Sequence, residues 1–570
     1  MKKITRNLLF VYLGLVLIKI VLFSFIKTPS AFADYYIYAK MAQSFFHLGV
    51  FQIHGVDTFL RPPLYPMLLS ISYIFKDMTN VFLSMKVINA LISTSIIFPS
   101  YLLAKEFLTR KRSFLVALLI GLIPSTFAFS VYLMSENLFY PLFMFSIFFL
   151  YKSFTENSYK WDVLLGLFVG LSFLTRTIGI VLIVITILSF ILYSFKYRKE
   201  FSFQLKKKLV VAGLFILTIL PLILRNFLNF GVSLSSLLGI DASEATAIAT
   251  GTYSISSFLT LFAFYLAFVV LSSGIVFFIA NFSVFKMWLK DKEHYCLVII
   301  SVVALISSLF IAANHNPGTT KYILLYSWFT GKLVGRYIDY ILPLVFILGF
   351  IGFQHVKNDK KLLKFIFPVV GLLLVFSTQI VFSSLYPINN LSLSWIGTIN
   401  FLINYVVFNT TEITYVYSMF NTLFFGGFFI LLTVFGYFLF KIKLKKILPF
   451  VFIFFFAVSL LSVGITKFDS DNWNNIEQIK LGQWFNEYDK DKISNVVFDE
   501  RDRGRLNKNV QLGIYEGKGG GYSIVGFWMH DNIKIGSVDN LEDVDYFITK
   551  NELPYELIYS SEDDVRVYKI

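Results

Sequence analysis

Two side chains in the stretch ADYYIYAKMAQSFFHLGVFQIHGVDTFLRPPLYPMLLS, Asp34 and Arg61, are of the types that do chemistry at a membrane surface. A carboxylate accepts a proton from an attacking nucleophile, and a guanidinium holds a phosphate through paired hydrogen bonds. Ionisable groups beside a membrane span carry a desolvation cost if bilayer or protein closes over them, so their presence needs a reason. Pro62 and Pro63 force Arg61 into an extended conformation and preset a helix start after it, which fixes where its side chain points. Glu136 in MSEN, Arg176 in LTRT, Arg225, Arg336 and Asp339 are further charged groups at the ends of apolar runs. Plainer roles exist for each. Asp34 could cap an amphipathic helix over Tyr35 to Phe46, and Glu136 could cap the helix that follows it. Arg61 could snorkel to headgroups, and Arg176, Arg225 and Arg336 could anchor at the interface.

The elements that would position these residues are membrane helices. The chain has 570 residues, 56% of them hydrophobic and only 15% charged, with a mean hydropathy of +0.70, the composition of a polytopic membrane protein. Its net charge of +15 would suggest a nucleic-acid partner in a soluble protein. Here the basic residues sit in short clusters between apolar runs, the pattern of cytoplasmic loops, so no nucleic acid is expected. The single cysteine, Cys296, excludes an internal disulfide framework and a cysteine metal cluster.

The first span runs from Leu8 to Phe25 behind MKKITR, and is a retained helix because no small-residue cleavage site follows it. Further spans are expected at Val81 to Leu103, Phe114 to Tyr132, Leu138 to Tyr151, Val163 to Arg176, Ile178 to Tyr193 and Leu209 to Leu224. An outer loop to about Ser256 precedes spans at Phe258 to Phe285, Leu297 to Ala313, Ile338 to Phe353, Leu362 to Phe382, Tyr417 to Phe440 and Ile447 to Ile465. That is roughly 13 crossings by the length rule. The lysine and arginine clusters at 105–112, 196–208, 286–292, 357–364 and 441–446 all fall on one side under this scheme. The N-terminus is therefore expected in the cytoplasm and the C-terminal region outside.

From Thr466 the composition turns charged and mixed. The pattern predicts a helix over Ile476 to Tyr488 and strands at Asn495 to Phe498, Ser523 to Trp528, Val544 to Thr549 and Val565 to Ile570. The expected division is thus a membrane domain, 1–465, and an extracytoplasmic α/β domain, 466–570. Under this topology Asp34, Arg61, Glu136, Arg176, Arg225, Arg336 and Asp339 share the outer face. Acids converging with arginines there suit a reaction with an anionic, phosphate-type leaving group.

Other motifs carry less. His54 and His315 lack paired metal-ligand spacing and read as loop or interface histidines. Asp469-Ser470-Asp471 matches the short DxD pattern of nucleotide-sugar enzymes, but it lies at a membrane exit. The run GKGGG at Gly517 to Gly521 lacks the flanks of a P-loop. No metal site is assigned from these residues and no cofactor is named; a divalent metal stays open.

The blocks ADYYIYAKMAQ, RPPLYPMLL, MSENLFYPLF, LGLFVGLSFLTRTIGIVLI and VGRYIDYILPL occur in that order. Together they resemble GT-C membrane glycosyltransferases, most closely the family of protein O-mannosyltransferases and lipid A aminoarabinose transferases, from Asp34 to about Pro343. The resemblance implies an all-α polytopic fold with a small extracytoplasmic α/β C-terminal domain. It also implies a polyprenyl-phosphate-linked sugar as donor and an envelope acceptor, which is a lipid, glycan or protein. The family's catalytic or acceptor-orienting acid falls on Asp34, its phosphate-holding basic residue on Arg61, its short-turn acid on Glu136, and its later Arg-Tyr pair on Arg336 and Tyr337. Arg176 joins the donor-phosphate set by its place on the same face. Two departures stand out: Asp34 is followed by Tyr35, so the Asp-Glu pair of the protein mannosyltransferases is absent, and Arg61 stands where some members have lysine.

The expectation is therefore a multi-pass cell-membrane glycosyltransferase whose partners are the bilayer, the lipid-linked sugar and the acceptor. A lipid-linked-sugar flippase or other transporter is the alternative, and it would call for mid-span charges or inverted repeats. A structural partner with a degenerate site is a third reading.

Overall fold

The computed structural model describes the chain except for residues 1, 30–31, 59–60, 232–236, 239–254, 315–332, 356–359, 384–386, 410–418, 475, 490–493, 500, 502–519, 530–531 and 562–564. His315, most of the glycine run and most of the expected outer loop before Ser256 lie outside the described residues.

Among the described residues, ten helices are long and apolar enough to cross a membrane, or eleven if a bent pair is one span. Three expected spans fall outside this set because their helices are short: Val163 to Arg176 lies in Lys160–Thr175, Leu362 to Phe382 in Lys360–Phe376, and Ile338 to Phe353 in the shorter apolar helix Asp339–Gly352. The stretch Phe114 to Tyr132 is not one straight span. It breaks at Ile123, where Pro124 opens a second helix bent by 66° from Arg110–Leu122, because proline has no N–H to continue the first. The segment 258–285 likewise divides at Gly274, whose φ of +76° lies in the left-handed region that only glycine enters freely. A helix at Ser394–Phe408, within a stretch expected to be non-spanning, is long enough with its lead-in from Ile388 to be a further candidate span.

Buried charges inside candidate spans have structural partners. Lys19 donates to Ser93 Oγ (3.0 Å) and to the Thr126 carbonyl (2.8 Å), beside the bend. Lys86 donates to the carbonyls of Phe23 (2.8 Å) and Ile26, at and just past the end of the first helix, Lys2–Phe23. These groups are the ties that hold helix breaks, which is how the cost of burying a lysine is offset.

The last membrane helix runs unbroken from Leu444 to Asn474, so the change of composition at 466 falls inside it. Among the described residues two sheets are present. A hairpin of β1 (Gln52–Ile53) and β2 (Val56–Asp57) follows the helix Phe32–Leu48. The C-terminal region carries the helix Glu477–Tyr488 and a five-stranded sheet of β3 (Asn495–Asp499), β4 (Asn532–Gly536), β5 (Tyr546–Thr549), β6 (Glu556–Ser560) and β7 (Arg566–Lys569), in the order β4-β3-β5-β7-β6. β3 pairs in parallel with β4 and β5, and β7 is antiparallel to β5 and β6. Ser523 to Trp528, expected as a strand, is instead part of a helix, Gly520–Trp528. A six-residue apolar run fits either element, and this one is buried between the helix Phe32–Leu48 and the helix Glu477–Tyr488. Lys40 donates to the Met529 carbonyl and Phe82 meets Phe527 edge-on at 5.9 Å, so the C-terminal region is seated on the element that carries Asp34.

Candidate active site

Asp34 lies in the first turn of the helix Phe32–Leu48, where free backbone N–H groups favour a negative charge. Its carboxylate faces arginines and makes no capping bond among those described. Arg61 donates from Nη2 to Asp34 Oδ1 at 2.9 Å, and Arg336 approaches Asp34 Oδ2 at 3.4 Å. Arg61 leads the Pro62-Pro63 pair into a helix that starts at Leu64, as the proline pattern predicts. Tyr73 donates to the Ala39 carbonyl at 2.8 Å, tying the helix of Asp34 to the element that follows Arg61.

Glu136 begins the helix Glu136–Thr155 and is buried, 1% exposed, at the end of a non-helical stretch, 132–135, that follows the bent pair. That stretch is held by side-chain amides, which replace the hydrogen bonds a helix would supply. Asn89 donates to the Tyr132 carbonyl at 2.9 Å, and Asn137 donates to the same carbonyl at 2.8 Å and to that of Met134 at 3.1 Å. Glu136 pairs with Arg176, which sits at the C-terminal end of Lys160–Thr175, and with Arg336 at 3.4 Å. Arg336 is thus shared between both carboxylates.

Arg336 and Tyr337 occupy a 3₁₀ turn, Gly335–Tyr337. Asn390 pins this turn on both sides: its Oδ1 accepts from the Gly335 N–H and its Nδ2 donates to the Leu333 carbonyl, each at 2.9 Å. Gly335 is required by close approach, since a Cβ there would lie 2.1 Å from the ring of Phe268. Tyr140 donates to the Arg336 carbonyl at 2.9 Å. The Tyr337 ring lies 5.2 Å from the guanidinium carbon of Arg176 and 5.5 Å from that of Arg336, close enough for cation–π attraction to both.

All six residues singled out for the site, Asp34, Arg61, Glu136, Arg176, Arg336 and Tyr337, therefore meet in one cluster. Two other candidates do not. Arg225 donates to the carbonyls of Phe51 (3.2 Å) and Thr58 (2.8 Å) and so ties down the β1–β2 hairpin. Asp339 is buried and accepts from Ser392 Oγ at 2.9 Å. The DxD tripeptide is also divided: Ser470 donates to the Thr28 carbonyl at 2.7 Å, while Asp471 pairs with Lys467 on its own helix. Asn390, Tyr140 and Asn89 carry no signal in the sequence that would mark them as supports for the site.

Burial alone would push the Asp34 carboxyl up, but Arg61 and Arg336 more than offset this and hold it at about 2. Arg61 responds in kind: burial would lower it, and the adjacent Asp34 raises it. Three guanidinium groups face two carboxylates, so the cluster carries one positive charge in excess. Such a set attracts an anion that accepts forked hydrogen bonds. Among the described residues, no three His, Cys, Asp or Glu side chains gather to hold a metal ion.

Residues 60–224 match the family model described as dolichyl-phosphate-mannose-protein mannosyltransferase, a range that includes Arg61, Glu136 and Arg176 and stops short of Asp34 and Arg336. No curated protein matches the sequence at a significant level. Among solved structures, ArnT from Cupriavidus metallidurans bound to undecaprenyl phosphate superposes with a TM-score of 0.59 at 11% identity, over 97% of each chain. The same protein in its apo state superposes with a TM-score of 0.51 at 12% identity, over 97% of this chain and 96% of that one. The chain shares its fold with ArnT, and the superposition takes in both the membrane helices and the C-terminal region.

Proposed function

We propose that the chain transfers a sugar from a polyprenyl-phosphate carrier to an acceptor in the cell envelope, with the cluster around Arg336 as its active site. The observation that carries this reading is the convergence of two carboxylates and three arginines from five separate segments on one partly open site. The likeness to a fold crystallised with undecaprenyl phosphate supports a lipid carrier of that kind.

In this reading the acceptor oxygen attacks the anomeric carbon, the bond from that carbon to the phosphate oxygen breaks, and polyprenyl phosphate leaves. Arg61, Arg176 and Arg336 hold the phosphate and stabilise the charge that builds on it, since guanidinium groups stay protonated throughout. Tyr337 keeps the planes of Arg176 and Arg336 in place. Asp34 orients the acceptor or takes its proton. A carboxyl held near 2 by arginines is a weak base. When the donor phosphate takes over Arg61 and Arg336, Asp34 loses the partners that depress it and becomes more basic, so donor binding prepares the base for the acceptor. Glu136, paired with Arg176 and Arg336, sets the position of both and is the second acid of the site.

Asp34→Asn tests this, because asparagine keeps size and shape but cannot accept the proton. Sugar transfer from a defined polyprenyl-phosphate sugar to a pool of envelope lipids should fall by about two to four orders of magnitude, with expression retained and only a modest loss of stability. Near-normal transfer would remove Asp34 from the chemistry.

A further inference from the structure

Away from the arginine cluster, two helices joined by a short turn enclose an apolar trough of about 620 Å³. The helix Met419–Leu439 packs on Lys360–Phe376, while its partner, Leu444–Asn474, packs on Ser394–Phe408 and Arg110–Leu122. Between the two helices the trough is floored by Ile275, Val276 and Phe277, with Phe353 and Trp395 beside them. On the first helix Leu432, Phe435, Gly436 and Leu439 line the gap, and on the second Ile447, Phe450, Val451 and Phe454 do so. Both sets follow the three-and-four spacing of one helix face, so each helix lends a complete apolar stripe to one wall of the trough. Phe435 and Phe450 are 59% and 73% exposed, which shows that the trough opens sideways.

Both helices are candidate membrane spans, so this opening lies within the bilayer. A space of this size, walled by apolar side chains, gives water too few polar partners to stay there, and leaving it empty would forfeit contacts along both stripes. Lipid chains are what the surroundings supply. The lining has one charged group, Lys446, at the apex where the helices meet the turn, and Lys441, Lys443 and Lys445 flank it. Basic residues at the end of a trough between membrane helices select an anionic headgroup.

We propose that this trough is a binding site for an anionic phospholipid of the bilayer, with an acyl chain between the two stripes and the phosphate on Lys446. It is separate from the arginine cluster. Phe353, which lines the trough, follows the eleven-residue helix Leu342–Gly352, whose other end adjoins Asp339 and Arg336. At 1.5 Å per residue that helix sets the two sites roughly 16 Å apart. The lipid acts as a wedge that fixes the spread of the two helices.

The test is native mass spectrometry of the whole chain released from a mild detergent, with retained lipids quantified against the bulk membrane. A lysine near an anionic headgroup contributes about 1 kcal/mol, so wild type should retain anionic phospholipid enriched about fivefold over the bulk. Lys446→Glu should abolish that enrichment. Gly436→Trp should lower retention of every headgroup; a Cβ at Gly436 meets only ordinary contacts of 3.5 Å and beyond. Because either variant could be poorly assembled, wild type stripped of lipid is also heated with added phosphatidylglycerol or phosphatidylcholine. Only the former should restore its melting temperature. Retained lipid that mirrors the bulk, enrichment that survives Lys446→Glu, equal rescue by both lipids, or polyprenyl phosphate as the molecule displaced by Gly436→Trp would each overturn the proposal.

Discussion

The arginine cluster around Arg336 and the lysine cluster around Asp162 contain similar ions in different surroundings. At Asp162, Lys207 and Lys208 approach the carboxylate at 3.4 and 3.2 Å, and Lys207 also donates to the carbonyls of Ser153 and Glu156 at the C-terminal end of the helix Glu136–Thr155. Those carbonyls have no partner within their own helix, so Lys207 is used up in closing a helix end, and Lys208 bonds Ser153 Oγ beside it. Asp162 and Lys207 expose none of their side chains, whereas Arg61 and Asp34 keep 34% and 17% of theirs. In the arginine cluster the guanidinium groups end on carboxylates, which an incoming phosphate can replace in kind. Buried charge is therefore not evidence of a site; charge whose partners can be exchanged, at an accessible place, is.

Breaking the sealed cluster should cost folding and spare chemistry. Asp162→Ala leaves two lysine charges buried without their counter-ion, a loss of about 3–5 kcal/mol. Membrane yield and melting temperature should drop sharply while transfer per folded molecule stays near wild type, as thermal unfolding and a rate normalised to folded protein would show.

Arg61→Ala should do the reverse. Losing a charge-assisted contact to the donor phosphate, about 1.5–3 kcal/mol, should raise the KM for donor by roughly 10- to 150-fold with protein level little changed. A parallel loss of protein would make Arg61 an anchor, like Arg225.

Acid sharpens the comparison further. Asp34 is held at about 2 against an ordinary value of 3.8, so its ion pairs stabilise the fold fully above about pH 4 and lose that contribution as pH falls toward 2. Stability of wild type should therefore decline on acidification through this window, and Asp34→Asn should show a flatter profile there.

The gentlest test concerns the side of the membrane on which each cluster lies. With Cys296 replaced, single cysteines at Ser202, near the lysine cluster in sequence, and at Ser560 should label from opposite faces. Labelling from one face would overturn the expected orientation.

The candidate site is legible in the sequence as a set of residues that meet, because charge stands out against an apolar background. Asp34, Arg61, Glu136, Arg176, Arg336 and Tyr337 are charged or polar residues at the ends of hydrophobic runs, and the order of the blocks around them carried the family resemblance. The scaffold was less legible wherever an apolar count is a poor guide. The stretch 388–408 is rich in asparagine and serine, which masks a helix of membrane length; Asn400 and Asn404 are buried and accept from Asn421 at 3.2 and 2.7 Å, polar contacts that hold membrane helices together. The break at Gly274 and the bend at Pro124 were hidden inside long apolar runs. In the C-terminal region β4 and β6 escape the strand pattern because Asn532–Gly536 and Glu556–Ser560 are short and interrupted by polar residues. Asn390, which holds the turn of Arg336, is fixed only by tertiary structure.

The most direct measurement is glycoside formation by purified wild type in detergent, given a defined polyprenyl-phosphate sugar and envelope lipids as acceptor. If the arginine cluster is a glycosyltransferase site, glycosylated acceptor and free polyprenyl phosphate appear in equal amounts. A transporter makes neither in detergent, so donor that binds and is recovered intact would contradict the account.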